Sequence, residues 1–145
     1  MRENLNFESV NVGDLLPEVT RFVTQEDFWR HAIACLDVNP VHVHPDWCKT
    51  AKVFGLESTV MHGNLTNSLL CTVLTNWAFP VGGWIKSTDS KYIKPVPPNS
   101  RITYGGMVTE KHIISKGKNF VVVEVFAKNQ EGETVALLKA EVILP

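Results

Sequence analysis

A carboxylate and an imidazole lie five residues apart in this chain, at Asp37 and His42, and an Asn39-Pro40 step separates them. The residue before a proline favours extended or turn geometry, so this step can bend the segment and bring the two side chains together. About twenty positions later, Gly63 opens a long apolar stretch that is typical of a buried helix. We therefore predict an acid/base pair and a main-chain hydrogen-bond donor at a helix start, a set suited to chemistry on a thioester.

Acid/base chemistry on a thioester needs these parts. A base must take a proton, an acid must deliver a proton, and a donor must stabilise the negative charge that develops on the thioester oxygen. Asp37 and His42 can supply the first two by sharing one water molecule. The unpaired N–H groups and the dipole at a helix start suit the developing oxyanion, and glycine at position 63 lets the thioester approach the backbone closely.

The element before the pair is predicted to be an amphipathic helix over residues 25–36. Thr24 followed by Asp27 resembles a capping box, in which each residue caps a backbone N–H of the first turn. Apolar side chains then recur at helical spacing, at Phe28, Trp29, Ala32, Ile33 and Leu36. Asp37 is expected where this helix ends, on a loop anchored to a rigid element, which is where functional side chains tend to lie.

The second half of the chain changes from helical to strand patterns. A helix over residues 63–79 would be apolar on most of its faces, which places it inside the domain. Three segments rich in valine, leucine and isoleucine follow, at residues 102–109, 119–128 and 134–144. The break at 129–132 indicates a hairpin. The pattern favours an α+β fold in which an antiparallel sheet surrounds one central helix, with residues 1–145 forming a single domain.

Composition limits the classes of partner. The 145 residues are 44% hydrophobic with a formal net charge of -1 and no charge blocks, so nucleic acid and membrane surfaces are not expected partners. Cys35, Cys48 and Cys71 are an odd number without a CxxC pair, which is typical of free thiols in a reducing compartment. No signal-peptide h-region or run of about 20 apolar residues is visible, and a cytoplasmic location is therefore expected.

Three segments carry a resemblance to a known family. These are Asp-Val-Asn-Pro-Val-His at 37–42, Met-His-Gly at 61–63 and Tyr-Ile-Lys-Pro-Val at 92–96. Their order and spacing, and the length of the chain, resemble the MaoC-like hydratase/dehydratase family over nearly the whole sequence. The resemblance implies a hot-dog fold and reversible hydration of an acyl thioester carried by coenzyme A (CoA) or acyl carrier protein (ACP), as in the (R)-specific enoyl-CoA hydratases.

The resemblance also implies residue roles and partners. Asp37 and His42 would be the catalytic pair, and the Gly63 N–H would bind the thioester carbonyl. Asn39 would shape the loop or position the water at the substrate. No metal and no redox cofactor are implied. One unit holds only a short half-site, so a homodimer or higher homo-oligomer is expected, with a heterodimer as the other option.

Two alternatives remain from the sequence. His44 stands where family members commonly have an acidic residue, and an extended 42–44 segment would place His42 and His44 on one face, where His62 or a carboxylate could complete a metal site. His62 is otherwise read as a structural residue packing at the site mouth. The other alternative keeps the scaffold but makes it a thioesterase or a catalytically silent acyl-binding subunit, because a fold does not fix a function.

Overall fold

A computed structural model describes residues 5–115 and 117–145. The strands and helices follow in the order β1 (Leu15–Val23), α1 (Gln25–Cys35), α2 (Pro40–Val43), α3 (Pro45–Ala51), α4 (Gly63–Ala78), β2 (Trp84–Tyr92), β3 (Ser100–His112), β4 (Phe120–Lys128) and β5 (Thr134–Ile143). Two single 3-10 turns flank this central part of the chain. One lies before the loop that leads into α4, at Val53–Gly55, and the other directly follows α4, at Phe79–Val81.

The strands form one antiparallel sheet with α4 against it. The strand order is β1-β3-β4-β5-β2, and α4 contacts all five strands. Leu70, Val73 and Leu74 on α4 are fully buried against sheet residues such as Val108 and Val123. This confirms the α+β hot-dog prediction of an antiparallel sheet around one central helix.

Helix α1 begins where the sequence predicts. Thr24 accepts a hydrogen bond from the Asp27 N–H, and the Asp27 carboxylate accepts from the Thr24 N–H at 2.8 Å, which completes the capping box. The helix ends at Cys35, and Leu36 takes a left-handed conformation that turns the chain toward Asp37. The capped helix α1 therefore leads directly into the loop that carries Asp37.

The segment after Pro40 differs from the extended geometry considered for the metal alternative. Asn39 has φ -56° and ψ 129°, which agrees with the predicted departure from helix before proline. Pro40, however, begins the one-turn helix α2, because proline is well suited to the first helical position, where its missing N–H would have no partner. His42 and His44 therefore do not lie on one face of an extended segment.

No helix in the two described stretches combines the length and apolar character needed to cross a membrane.

Candidate active site

A cavity of about 290 Å³ opens between the start of α4 and the end of β2. His42 and Gly63 form part of its wall, and most of the rest is apolar, including Met61, Val96 and Val135, all buried. A cleft with apolar walls and a few polar groups is typical of a small-molecule site. Two of the four site residues predicted from the sequence therefore face one cavity.

His42 is held by two contacts from elements distant in sequence. Its Nδ1 lies 2.7 Å from the carbonyl oxygen of Val60, and its own carbonyl accepts a hydrogen bond from Gln25 Nε2 at 2.9 Å. Because a carbonyl can only accept, Nδ1 must carry the proton, and Nε2 of the neutral ring is left with its lone pair. In this tautomer the lone pair on Nε2 of His42 is available to accept a proton.

Asp37 lies beside the cavity rather than in its wall. A carboxylate oxygen of Asp37 stands within 4.8 Å of a ring nitrogen of His42. One water molecule with two hydrogen bonds of about 2.8 Å can span such a separation. The Asn39 N–H also approaches Asp37 Oδ1, at 3.4 Å. The loop therefore brings a carboxylate oxygen of Asp37 to a ring nitrogen of His42 at a separation that one water molecule can bridge.

Asn39 has a local role. Its side-chain oxygen accepts a hydrogen bond from the Val41 N–H at 3.2 Å, which caps the first turn of α2. The Asn39 side chain is exposed and does not line the cavity. In this structure it therefore shapes the turn that presents His42, and its predicted contact with substrate stays a prediction.

Gly63 is the first residue of α4, as the sequence predicts for a donor at a helix start. The first four N–H groups of a helix have no partner within the helix, and the positive end of the dipole lies there. The ring of Tyr92 lies close above this residue, so that a Cβ placed on Gly63 would stand 3.3 Å from two ring atoms. A side chain at residue 63 would therefore crowd the ring of Tyr92.

His62 lies deeper than the site-mouth position read from the sequence. Only 1% of its surface is exposed, and its ring stacks on that of His42 with centroids 3.9 Å apart and planes inclined by 24°. Its Nε2 lies 3.1 Å from the carbonyl oxygen of Asp37. Burial is the main cause that lowers the pKa of His62 below its ordinary value of 6.5, so its ring is neutral near pH 7.

The metal alternative takes a different form in the structure. His44 is exposed, and its Nδ1 accepts a hydrogen bond from the Trp47 N–H at 3.1 Å as the cap of α3. Among the residues described, one group of three potential metal ligands lies close together. It consists of Asp37, His42 and His62, whose potential ligand atoms all lie within 4.8 Å of one another. Stacked imidazoles, however, point their lone pairs side by side rather than at one point, which does not suit a tetrahedral ion.

Sequence reasoning missed two further residues that hold the site together. The Gln25 side chain donates to the His42 carbonyl and accepts a hydrogen bond from the buried hydroxyl of Thr59, so it ties α1 to both the His42 turn and the segment before α4. These contacts join residues 17 and 34 positions apart. Periodicity and local motifs carry no signal for such a link.

Comparisons with known proteins identify the family and similar folds. A family model described as MaoC like domain matches residues 8–130. The (R)-hydratase from A. caviae involved in PHA biosynthesis superposes with a TM-score of 0.79 at 22% identity, covering 95% of this chain and 99% of its own. R-hydratase PhaJ1 from Pseudomonas aeruginosa gives 0.80 at 23% identity, with 98% and 86% covered.

A third similar structure is the ChsH1-ChsH2 complex from Mycobacterium tuberculosis, with a TM-score of 0.78 at 23% identity and 94% and 99% covered. At these identities the superpositions show a shared fold. No curated protein sequence matches this chain.

Proposed function

The chain belongs to the MaoC-like domain family, which comprises hydratases and dehydratases, and from that premise we propose that it adds or removes water at the 2,3 double bond of an acyl thioester. The reaction interconverts an (R)-3-hydroxyacyl thioester and its trans-2-enoyl form. The observation that carries the proposal is the approach of Asp37 to within 4.8 Å of His42, whose ring faces an apolar cavity beside the start of α4.

The proposed hydration uses three groups. Nε2 of His42 takes a proton from a water that the Asp37 carboxylate orients, and the water oxygen bonds to C3 of the enoyl group. The π electrons move into the thioester carbonyl, and the resulting enolate oxygen accepts a hydrogen bond from the Gly63 N–H. The proton then passes from the acid/base pair to C2, so the net change is the addition of one water.

The apolar wall supports an acyl chain as the group that enters the cavity. Buried apolar residues such as Met61, Val96 and Val135 offer no polar partner for a hydrophilic substituent. CoA or ACP would then carry the thioester from outside the cavity. No metal or redox cofactor takes part in these steps.

We also propose that the chain works as a homodimer or with a related subunit. Leu36 and Val38, on either side of Asp37, are 85% and 65% exposed, which supports a partner surface next to the site. Sedimentation of the native protein tests this, and a monomer with full activity would contradict it.

The proposed activity is tested with crotonyl-CoA by following the absorbance of the enoyl-thioester band. We expect the native protein to remove the band without releasing thiol, and Asp37→Asn and His42→Gln to lose at least about a hundredfold in kcat/KM. His44→Asn is the matched control, because asparagine is also a good helix N-cap and His44 lies outside the cavity wall.

Longer enoyl chains and an ACP-linked substrate complete the test. Release of free thiol by the native protein would identify a thioesterase instead. No reaction with any of these substrates would favour a silent acyl-binding subunit. Activity that persists in both Asp37→Asn and His42→Gln would refute the assigned pair.

A further inference from the structure

Three imidazoles lie in contact at the proposed acid/base pair, and one of them is His42 itself. The His42 ring stacks on His62, and the His31 ring of α1 meets His62 edge-on, with centroids 4.8 Å apart and planes inclined by 63°. His42 faces the cavity, whereas His62 is 1% exposed. Of the three imidazoles, the proposed mechanism uses only His42. The burial of a second titratable ring against it therefore needs an explanation.

Capping α4 does not explain the position of His62. It is the N-cap residue of that helix, yet its side chain makes no capping hydrogen bond. Its ring instead contacts a residue 25 positions earlier in the sequence, because Nε2 lies 3.1 Å from the carbonyl oxygen of Asp37. A carbonyl only accepts, so Nε2 carries the proton and donates it to the Asp37 main chain.

The other nitrogen of His62 indicates that the ring stays neutral. Nδ1 is buried and has no hydrogen-bond partner among the residues that the structure describes, and the same holds for Nε2 of His31. A proton added at His62 Nδ1 would create a buried cation without an acceptor, which is costly. The charged and titratable groups that face this ring are Asp37, His42 and His31.

We propose that His62 is a positioning residue for the hydration, holding the Asp37 main chain through its Nε2–H and supporting the face of the His42 ring. This inference rests on the proposed function and adds a residue to it. One rigid ring touches both members of the pair, so it fixes their mutual distance. Misplacement of reacting groups by about 1 Å can cost about a hundredfold in rate, which makes such a support valuable.

The neutral state of His62 also serves the proton transfer. When His42 takes the water proton it becomes cationic, and a neutral ring beneath it adds no like charge. Burial lowers the pKa of His62 and outweighs the hydrogen bond to the Asp37 carbonyl and the Asp37 charge, which raise it, while the positive charges that His42 and His31 can carry lower it further. His62 therefore does not compete with His42 for the transferred proton.

Two substitutions separate the hydrogen bond from the stacked ring. His62→Phe keeps a flat ring but loses the donor, whereas His62→Gln keeps an amide donor and loses the ring. We expect His62→Phe to lower kcat by about ten- to a hundredfold with KM changed less than about threefold, because the substrate cavity does not include His62. His62→Gln should also lower kcat, because it removes the ring that supports the face of the His42 ring.

Several outcomes would overturn the inference while the native protein remains an active hydratase. A His62→Phe variant with native kcat would remove the role of the hydrogen bond, and a His62→Gln variant with native kcat would remove the support by the ring. A rise in KM with unchanged kcat would indicate a substrate-binding effect instead. His44→Asn again serves as the control histidine substitution.

Nuclear magnetic resonance of histidine-labelled native protein tests the inference without substrate. We expect long-range nitrogen–proton spectra near pH 7 to show His62 mostly neutral with its proton on Nε2, and to show a smaller cationic fraction at about pH 6 than a histidine with the ordinary pKa of about 6.5 has there. A neutral ring with its proton on Nδ1, or a cationic fraction at about pH 6 equal to that of an ordinary histidine, would overturn the inference whether or not the variants fold. Absence of hydratase activity in the native protein would instead refute the proposed function.

Discussion

The ring of Tyr92 packs so closely over Gly63 that a Cβ on the glycine would stand 3.3 Å from two ring atoms. Tyr92 is about half exposed and can move by a few tenths of an ångström, so Gly63→Ala should fold with its free energy of unfolding changed by less than about 1 kcal/mol. The added methyl would occupy the approach to the first amide of α4. We expect kcat/KM to fall by at least about tenfold.

Steady-state kinetics and urea unfolding of Gly63→Ala check this prediction together. Gly63→Ala combined with Tyr92→Leu is the matched control, since it removes the crowding by the ring and retains the methyl. Full activity in Gly63→Ala would contradict a close approach of substrate to this backbone.

The Gln25 side chain links the His42 turn to Thr59. Gln25→Met keeps the length of the side chain but leaves the His42 carbonyl and the buried Thr59 hydroxyl without this partner, which should cost about 1–3 kcal/mol of unfolding free energy. Because the turn carries His42, kcat should also fall. Urea unfolding and steady-state kinetics measure the two effects.

Thr59→Val completes a double-mutant cycle for this link. We expect the double variant to be destabilised by less than the sum of the single variants, since each removes the same hydrogen bond. Strict additivity would show that the two side chains do not interact in solution.

Local sequence signals predicted the parts of the fold that they specify. The capping box at Thr24 and Asp27 set the start of α1, and Gly63 marked the start of α4. Strand β1 was missed because Pro17 interrupts it and its burial does not alternate with a period of two. Strand β2 lies at the sheet edge and is largely exposed, so it lacks a clear apolar pattern as well.

The same reasoning explains how much of the site was visible in the sequence. The Asp37 and His42 pair lies within one short segment, so its motif could be recognised. The stacking of His62 on His42 joins the start of α4 to α2, and only the tertiary fold determines it. A histidine beside a glycine has no sequence pattern that distinguishes a buried support from a residue at the site mouth.

Burial of His62 makes stability depend on pH in a defined direction. Its pKa is lowered in the folded state, so below about pH 6.5 the unfolded chain binds a proton at this side chain that the folded chain does not. The stability present above that pH is therefore lost as the pH falls toward the folded-state pKa. The loss is about 1.4 kcal/mol for each unit by which the pKa is lowered.

Urea unfolding at about pH 7.5 and about pH 5.5, on either side of the ordinary histidine value, measures this dependence. We expect the decrease in unfolding free energy to be smaller in His62→Gln than in the native protein, because glutamine does not titrate. Equal decreases in the two proteins would show that His62 titrates normally in the folded state.

Tyr104 presents a polar group to the core without a partner. The residue is 1% exposed, its hydroxyl has no hydrogen-bond partner within residues 5–115 and 117–145, and burial raises its pKa well above the ordinary value of 10.0. Removing an unpaired buried hydroxyl relieves its desolvation cost, so Tyr104→Phe should raise the free energy of unfolding by about 1 kcal/mol. Tyr92→Phe, at a half-exposed ring, should change it by less than about 0.5 kcal/mol. Urea unfolding decides the matter, and a Tyr104→Phe protein less stable than the native one would show that the hydroxyl has a partner in solution, such as a buried water.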